Sequence, residues 1–223
     1  MKYWFYYFSK GVLWLIFRGG FGLDVRGQEH VPARGPFIVA SNHVSFLDPP
    51  VVGVACPRRV SFMARATLFQ GLPGTVLRGL HVIPLARGER DPGAIRTAIA
   101  QLRQGGVVAI FPEGTRQSQG LGEAKRGVGL LAANAQVPIV PALVTGTDRA
   151  LPRDATWPRR AKIRVAFGPI IPYTTSSAST EDVDAPTMAA RAVGRQAHQA
   201  IADRVTEAWR RLAAEPSRAQ DTA

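Results

Sequence analysis

Cysteine is almost missing from this chain: Cys56, beside Pro57, stands alone among 223 residues, which excludes an internal disulfide and fits a reducing compartment. Acidic residues are scarce too. Sixteen Asp and Glu face 28 Lys and Arg, and the net charge of +12 favours an anionic partner: a phospholipid surface, a phosphorylated substrate or nucleic acid. No H-E-x-x-H or similar metal-ligand spacing occurs, so a metal hydrolase built on His43, Asp48, His81 and Glu113 has no motif behind it. No G-x-S-x-G elbow surrounds Ser45 or any other serine, which argues against an acyl-enzyme. Helix-turn-helix and RNP signatures are missing and the basic residues are scattered, against a nucleic-acid-binding role.

Long apolar runs are also lacking. The richest, "YWFYYFSKGVLWLIF" (residues 3–17), is interrupted by Lys10 and Gly11 and is shorter than the ~20 residues that cross a bilayer. The internal charge and the lack of a small-x-small site before "RGGFGLDVRG" argue against a cleaved signal peptide. An amphipathic, aromatic helix over residues 1–20 lying in a membrane interface is expected. Trp4, Tyr6, Tyr7 and Trp14 suit the headgroup level, and Lys2, Lys10 and Arg18 reach anionic phosphates. The competing reading is a helix packed on the protein's own core.

What is present is alternation. The segments "FGLDVRG", "FIVAS", "VSFMA", "HVIPLA", "VVAIF", "PIVPALVTG" and "KIRVAFG" read as strands, with helices near 49–56, 67–79, 92–104 and 126–135. The fold class is α/β: a layered, mixed and partly parallel sheet flanked by helices, mixed because the first and last strands lack crossover helices. Pro84, Pro138 and Pro141 point their strands to sheet edges or strand ends. The polar stretch 174–186 reads as a surface connection; a final helix follows, with Ile201, Val205, Ala208 and Leu212 on one face and Trp209 beside it. The expected units are the interface helix 1–20, a catalytic domain 21–214 and a disordered tail 215–223.

Two strands end in polar loops. "FIVAS" runs into "NHVSFLDPP", where Asp48 before Pro49 reads as a helix N-cap, and the turn could also bring its carboxylate to His43. Such a contact fixes the imidazole tautomer and leaves the second nitrogen as a base. "VVAIF" runs into "PEGTR". In an open α/β sheet ligands collect at the carboxyl ends of strands, so both loops would face one crevice.

These blocks resemble the glycerolipid acyltransferases, typified by lysophosphatidic acid acyltransferase. "NHVSFLD" is similar to the family's His-x4-Asp block, "FPEGTR" to its third block and "VPIVP" to its fourth, the likeness running from about Val25 to Gly168. In the second block Arg87 stands where an arginine is expected, but His81 replaces a glycine.

The resemblance implies transfer of a fatty acyl group from acyl-CoA or acyl-carrier protein to the hydroxyl of a phosphorylated glycerolipid, foremost 1-acyl-sn-glycerol 3-phosphate. Acceptors to weigh beside it are other lysophospholipids or a glycolipid. His43 would be the general base and Asp48 its orienting partner. Arg87 and Arg116 would bind the acceptor phosphate, and Asn42, Glu113, Gly114, Thr115 and Lys125 would complete the substrate site. No metal or further cofactor is implied. The expected location is the cytoplasmic face of the cell membrane, peripheral or monotopic, on an anionic surface.

Overall fold

All five residues of "FIVAS" are buried, as a strand covered on both faces requires. A computed structural model describes residues 3–85, 91–117, 120–173 and 188–215. The strands are β1 (Asp24–Arg26), β2 (Phe37–Ser41), β3 (Val60–Arg65), β4 (Ile83–Leu85), β5 (Val107–Ile110), β6 (Ile139–Thr145) and β7 (Arg164–Phe167). The helices are α1 (Trp4–Phe21), α2 (Asp48–Ala55), α3 (Gly71–Gly79), α4 (Pro92–Arg103), α5 (Gly127–Ala135), the short α6 (Thr147–Ala150) and α7 (Met188–Ala214). The polar connection and nearly all of the expected tail lie outside the described residues.

Among the described residues the strands form one seven-stranded sheet in the order β1-β7-β6-β2-β5-β3-β4. Its pairs are parallel except β6 with β7, so the sheet is mixed as expected. Pleating divides the core. Phe37 and Val39 face α1 and α2, while Ile38 and Ala40 face α4, α5 and α7. Each fully buried Val, Ile or Phe contributes about 1.5–3 kcal/mol, so β2 is anchored from both sides. Ile201, Ala202, Val205 and Trp209 form the buried face of α7, and the Trp209 indole donates to the Ala40 carbonyl at 3.0 Å.

Pro84 lies on the edge strand β4 and Pro138 just before β6, as expected, but Pro141 sits inside β6, between β7 and β2. The Pro141 carbonyl accepts from Gly168 N–H at 2.9 Å, and the β6–β7 ladder stops at Ala142–Phe167 because proline has no N–H to return a bond to Gly168. His81, which stands where the resembled family has glycine, adopts φ 57°, a left-handed conformation that glycine takes without strain.

Helix α1 packs one face on the core and leaves an apolar, aromatic face outward. Tyr6, Lys10, Leu13 and Phe17 recur at helical spacing on its inner face. The Tyr6 hydroxyl accepts from Val60 N–H at 3.0 Å, and Tyr6 and Phe17 are buried. Outward, Trp4, Tyr7, Phe8, Trp14, Leu15 and Ile16 are exposed. Of the expected cations, Lys10 turns inward to the Cys56 carbonyl, burial lowering its pKa, while Arg18 is exposed and donates to the Leu23 carbonyl at 2.8 Å. Tyr6, expected at headgroup level, is in the core. Lys2 lies outside the described residues.

Candidate active site

Strands β2, β5 and β6 run parallel side by side, so the loops that leave them emerge at one edge of the sheet. The polar residues of the site come from these three loops.

In the first loop, Asp48 turns its carboxylate back towards residues that precede it. Oδ2 accepts from His43 Nδ1 at 2.8 Å, Val44 N–H at 2.7 Å and Ser45 N–H at 2.7 Å. Oδ1 accepts from the Thr147 hydroxyl at 2.6 Å. These donors compensate the desolvation of a carboxylate with no solvent exposure. They also correct the N-cap reading: α2 begins at Asp48 itself, and the amides bound lie upstream of the helix, not in its first turn. Because an ionised carboxylate only accepts, His43 Nδ1 carries hydrogen and Nε2 presents its lone pair. The imidazole side chain is 19% exposed and stacks on Phe111 with centroids 4.4 Å apart.

The second loop holds His43 by its backbone. Glu113 Oε2 accepts from His43 N–H at 2.9 Å, and Gln117 N–H donates to the His43 carbonyl at 2.8 Å. The other Glu113 oxygen accepts from Gly122 N–H at 3.1 Å. Burial pushes the Glu113 carboxyl above its ordinary range, and the two amides oppose that shift. Glu113, expected to position its loop or the acceptor's hydroxyl, has both oxygens on the backbone amides of His43 and Gly122. Gly114 takes φ 80°, the left-handed turn that lets Gly114 N–H reach the Phe111 carbonyl at 3.0 Å.

Asn42 is corrected in the same way. Its amide donates to the Val144 carbonyl at 2.9 Å and accepts from Val144 N–H at 2.7 Å, clamping β2 to β6. With its side chain paired at both ends and buried, it is a strut rather than a substrate ligand.

The third loop was not foreseen. Thr147 follows Gly146, whose φ of 85° and 2.1 Å gap between a built Cβ and the Lys162 carbonyl admit no side chain. The available signal was positional: "VTGT" ends a buried strand as the two recognised loops do. Ser45 also reaches this region, its hydroxyl donating to the Leu151 carbonyl at 3.1 Å.

Arg116 lies over the exposed Phe46 ring, 3.7 Å from its centroid. Thr115 and Lys125 are exposed, and the Lys125 backbone N–H binds the Pro112 carbonyl at 2.9 Å. Arg87 lies outside the described residues. His81 precedes β4 at the opposite edge of the sheet from His43, so the residues of the metal-hydrolase reading do not converge. Among the described residues no group of three or more His, Cys, Asp or Glu is placed to hold a metal ion.

Relatives agree with this picture. The Acyltransferase family profile matches residues 22–145, which include both signature loops. The 1-acyl-sn-glycerol-3-phosphate acyltransferase of Bacillus subtilis is 34% identical over 143 residues, 63% of this chain and 71% of that protein. The mouse 1-acyl-sn-glycerol-3-phosphate acyltransferase alpha is 34% identical over 175 residues, 74% of this chain but 60% of its own length. The chain spans 46% of the human alpha protein, at 37% identity over 131 residues, or 56% of this chain. A crystal structure of the 1-acyl-sn-glycerophosphate acyltransferase PlsC from Thermotoga maritima shares the fold, with TM-score 0.69 and 24% identity over 96% of this chain and 80% of that one. A profile that takes in more than half of the sequence, and a relative matched over 71% of its own length, show that the chain belongs to the Acyltransferase family.

Proposed function

We propose that the protein moves a fatty acyl group from a thioester, acyl-CoA or acyl-carrier protein, to the free hydroxyl of 1-acyl-sn-glycerol 3-phosphate, giving phosphatidic acid. The observation that carries this reading is the His43–Asp48 pair, which lies with the Glu113 loop inside the segment matched by the family profile, the Thr147 loop following directly after it. The names of the relatives supply the acceptor.

In this mechanism His43 Nε2 removes the proton of the acceptor hydroxyl as its oxygen attacks the thioester carbonyl. A C–O bond forms, the C–S bond breaks, and the proton passes from the imidazolium to the departing thiolate. Asp48 orients the ring and stabilises its cationic form. Arg116 grips the acceptor phosphate through two guanidinium N–H groups, with Arg87 as second cation. Thr115 and Gly114 line that phosphate pocket, and Lys125 meets the phosphates of the donor. Residues 21–214 form the catalytic domain.

The same reading puts the enzyme on a membrane. No described helix is long and apolar enough to cross one, and the outward aromatic face of α1 suits the interface. A water-soluble thioester donor supports a site on the cytoplasmic face. The test is a panel assay with radiolabelled acyl-CoA and acyl-carrier protein against several lysophospholipids and glycerol 3-phosphate. No transfer to any phosphorylated acceptor overturns the proposal.

A further inference from the structure

Lys10, expected to meet lipid on α1, is turned inward, and an exposed cationic segment lies at the catalytic edge. It is the connection between α6 and β7, "LPRDATWPRRAKI", residues 151–163. Trp157 is 80% exposed, the most exposed large apolar side chain among the described residues. Around it Arg149, Arg153, Arg159, Arg160 and Lys162 are exposed, against Asp148 and Asp154.

The segment is fastened at several points. Arg159 N–H binds the Ala150 carbonyl at 2.6 Å, Ala155 N–H binds Pro152 at 3.1 Å, and Ile163 is fully buried. Trp157 is therefore presented from a fixed loop flanked by Pro152 and Pro158. Ile163 N–H donates to Phe21 at the end of α1 at 3.2 Å, so this loop continues from the helix that carries the apolar face. Arg164 pairs with Thr145 at the carboxyl end of β6, which puts the loop at the edge where His43 lies.

We propose that this loop is a second membrane contact, with Trp157 at the headgroup level of an anionic phospholipid surface and Arg153, Arg159 and Arg160 on its phosphates. The inference rests on the membrane reading above. An exposed tryptophan among guanidinium groups fits an interface that is apolar on one side and anionic on the other. It also adds to the apolar face of α1 a cluster of cations where the helix itself exposes Arg18 alone. An acidic carrier protein would use the cations, but it gives no reason for a projecting indole or for continuity with α1.

The experiment uses the full chain in co-sedimentation with vesicles of phosphatidylcholine alone and of an equimolar phosphatidylglycerol–phosphatidylcholine mixture. The expected results are a preference of the unmodified protein for the mixed vesicles that falls with salt, and a loss of that preference by 10- to 100-fold in the R153Q/R159Q/R160Q triple variant. Trp157→Ala weakens binding to both vesicles, and the Trp157→Phe difference spectrum shows a blue-shifted indole on binding. All these side chains are exposed, and thermal melts verify that the variants fold. Failure of the unmodified protein to bind any vesicle overturns the membrane reading itself. Vesicle binding that persists unchanged in the triple variant overturns this inference alone. So does a triple variant that keeps vesicle binding but loses activity only with acyl-carrier protein as donor.

Discussion

Thr147 and Asp48 are joined by a hydrogen bond of 2.6 Å between groups buried on different strand-end loops, 99 positions apart in the chain. The carboxylate that orients His43 is thus itself oriented from the far side of β2. Thr147→Val keeps the shape and deletes the donor, leaving Oδ1 without a partner. A hydrogen bond to a charged group is worth about 1.5–3 kcal/mol, so the melting temperature should fall. The kcat should drop about tenfold with both KM values little changed, since a shift near 1.4 kcal/mol is one decade in rate. Thr147→Ser should restore both; a rescue of stability without rescue of kcat would limit Thr147 to a packing role.

His43→Ala should abolish measurable transfer and leave the fold intact, because loss of a general base costs ~10²–10⁴ in rate. Asp48→Asn behaves differently from a capping substitution. Asparagine caps helices well, but here it would offer one acceptor oxygen where Asp48 offers two, to His43, Val44, Ser45 and Thr147. Thermal denaturation and single-turnover assays should both register the change; a fully stable, fully active Asp48→Asn removes the carboxylate from the mechanism.

The pairing of Glu113 with the His43 and Gly122 amides yields a pH signature. Its pKa is raised in the fold by burial, so the folded state holds a proton that the unfolded chain releases at lower pH. Stability therefore declines as pH rises from the ordinary carboxylate value through the raised one. Glu113→Gln should remove that decline. It should also lower the melting temperature, because its NH2 group must face one of the two donor amides, at about 1–3 kcal/mol. Melting curves across the acidic range of both proteins check the sign, and an unchanged pH slope would assign it to other carboxylates.

Arg116→Lys keeps the charge and loses both the two-pronged guanidinium and its planar contact with Phe46. The acceptor's KM should rise or kcat fall, with thioester KM unchanged. Arg87→Ala should act in the same direction. Steady-state kinetics with each substrate varied separately decides it: damage confined to the thioester would reassign Arg116 to the donor.

How much of this was legible depends on the range of the interaction. The buried strands "FIVAS" and "VVAI" announce themselves by composition, and the two loops after them by polar residues breaking an apolar run. The roles of Asn42 and Glu113 did not, because their partners are backbone groups of Val144, His43 and Gly122, and backbone amides leave no trace in a sequence. Thr147 left only a positional signal, the end of a buried strand, because its partner Asp48 lies 99 positions away. Pro141 misled because the rule against proline in inner strands is only a tendency: here the sheet keeps the bond from Gly168 to the Pro141 carbonyl and gives up the returning one. The inward turn of Lys10 was hidden because α1 is apolar on both faces, so hydropathy could not say which face the core would take.

The bond from the Trp209 indole to the Ala40 carbonyl bears on the order in which the molecule can be completed during synthesis. His43, Asp48, Glu113 and Thr147 have all left the ribosome while α7 is still to come, yet one face of the sheet beneath them awaits Ile201, Ala202, Val205 and Trp209. A nascent chain halted between β7 and α7 carries the whole His–Asp network on a half-covered sheet, with Ile38, Ile139 and Leu143 open to other apolar surfaces. Activity is therefore expected only once the last helix docks, and a stop in that window should yield an aggregation-prone polypeptide instead of a weakened enzyme.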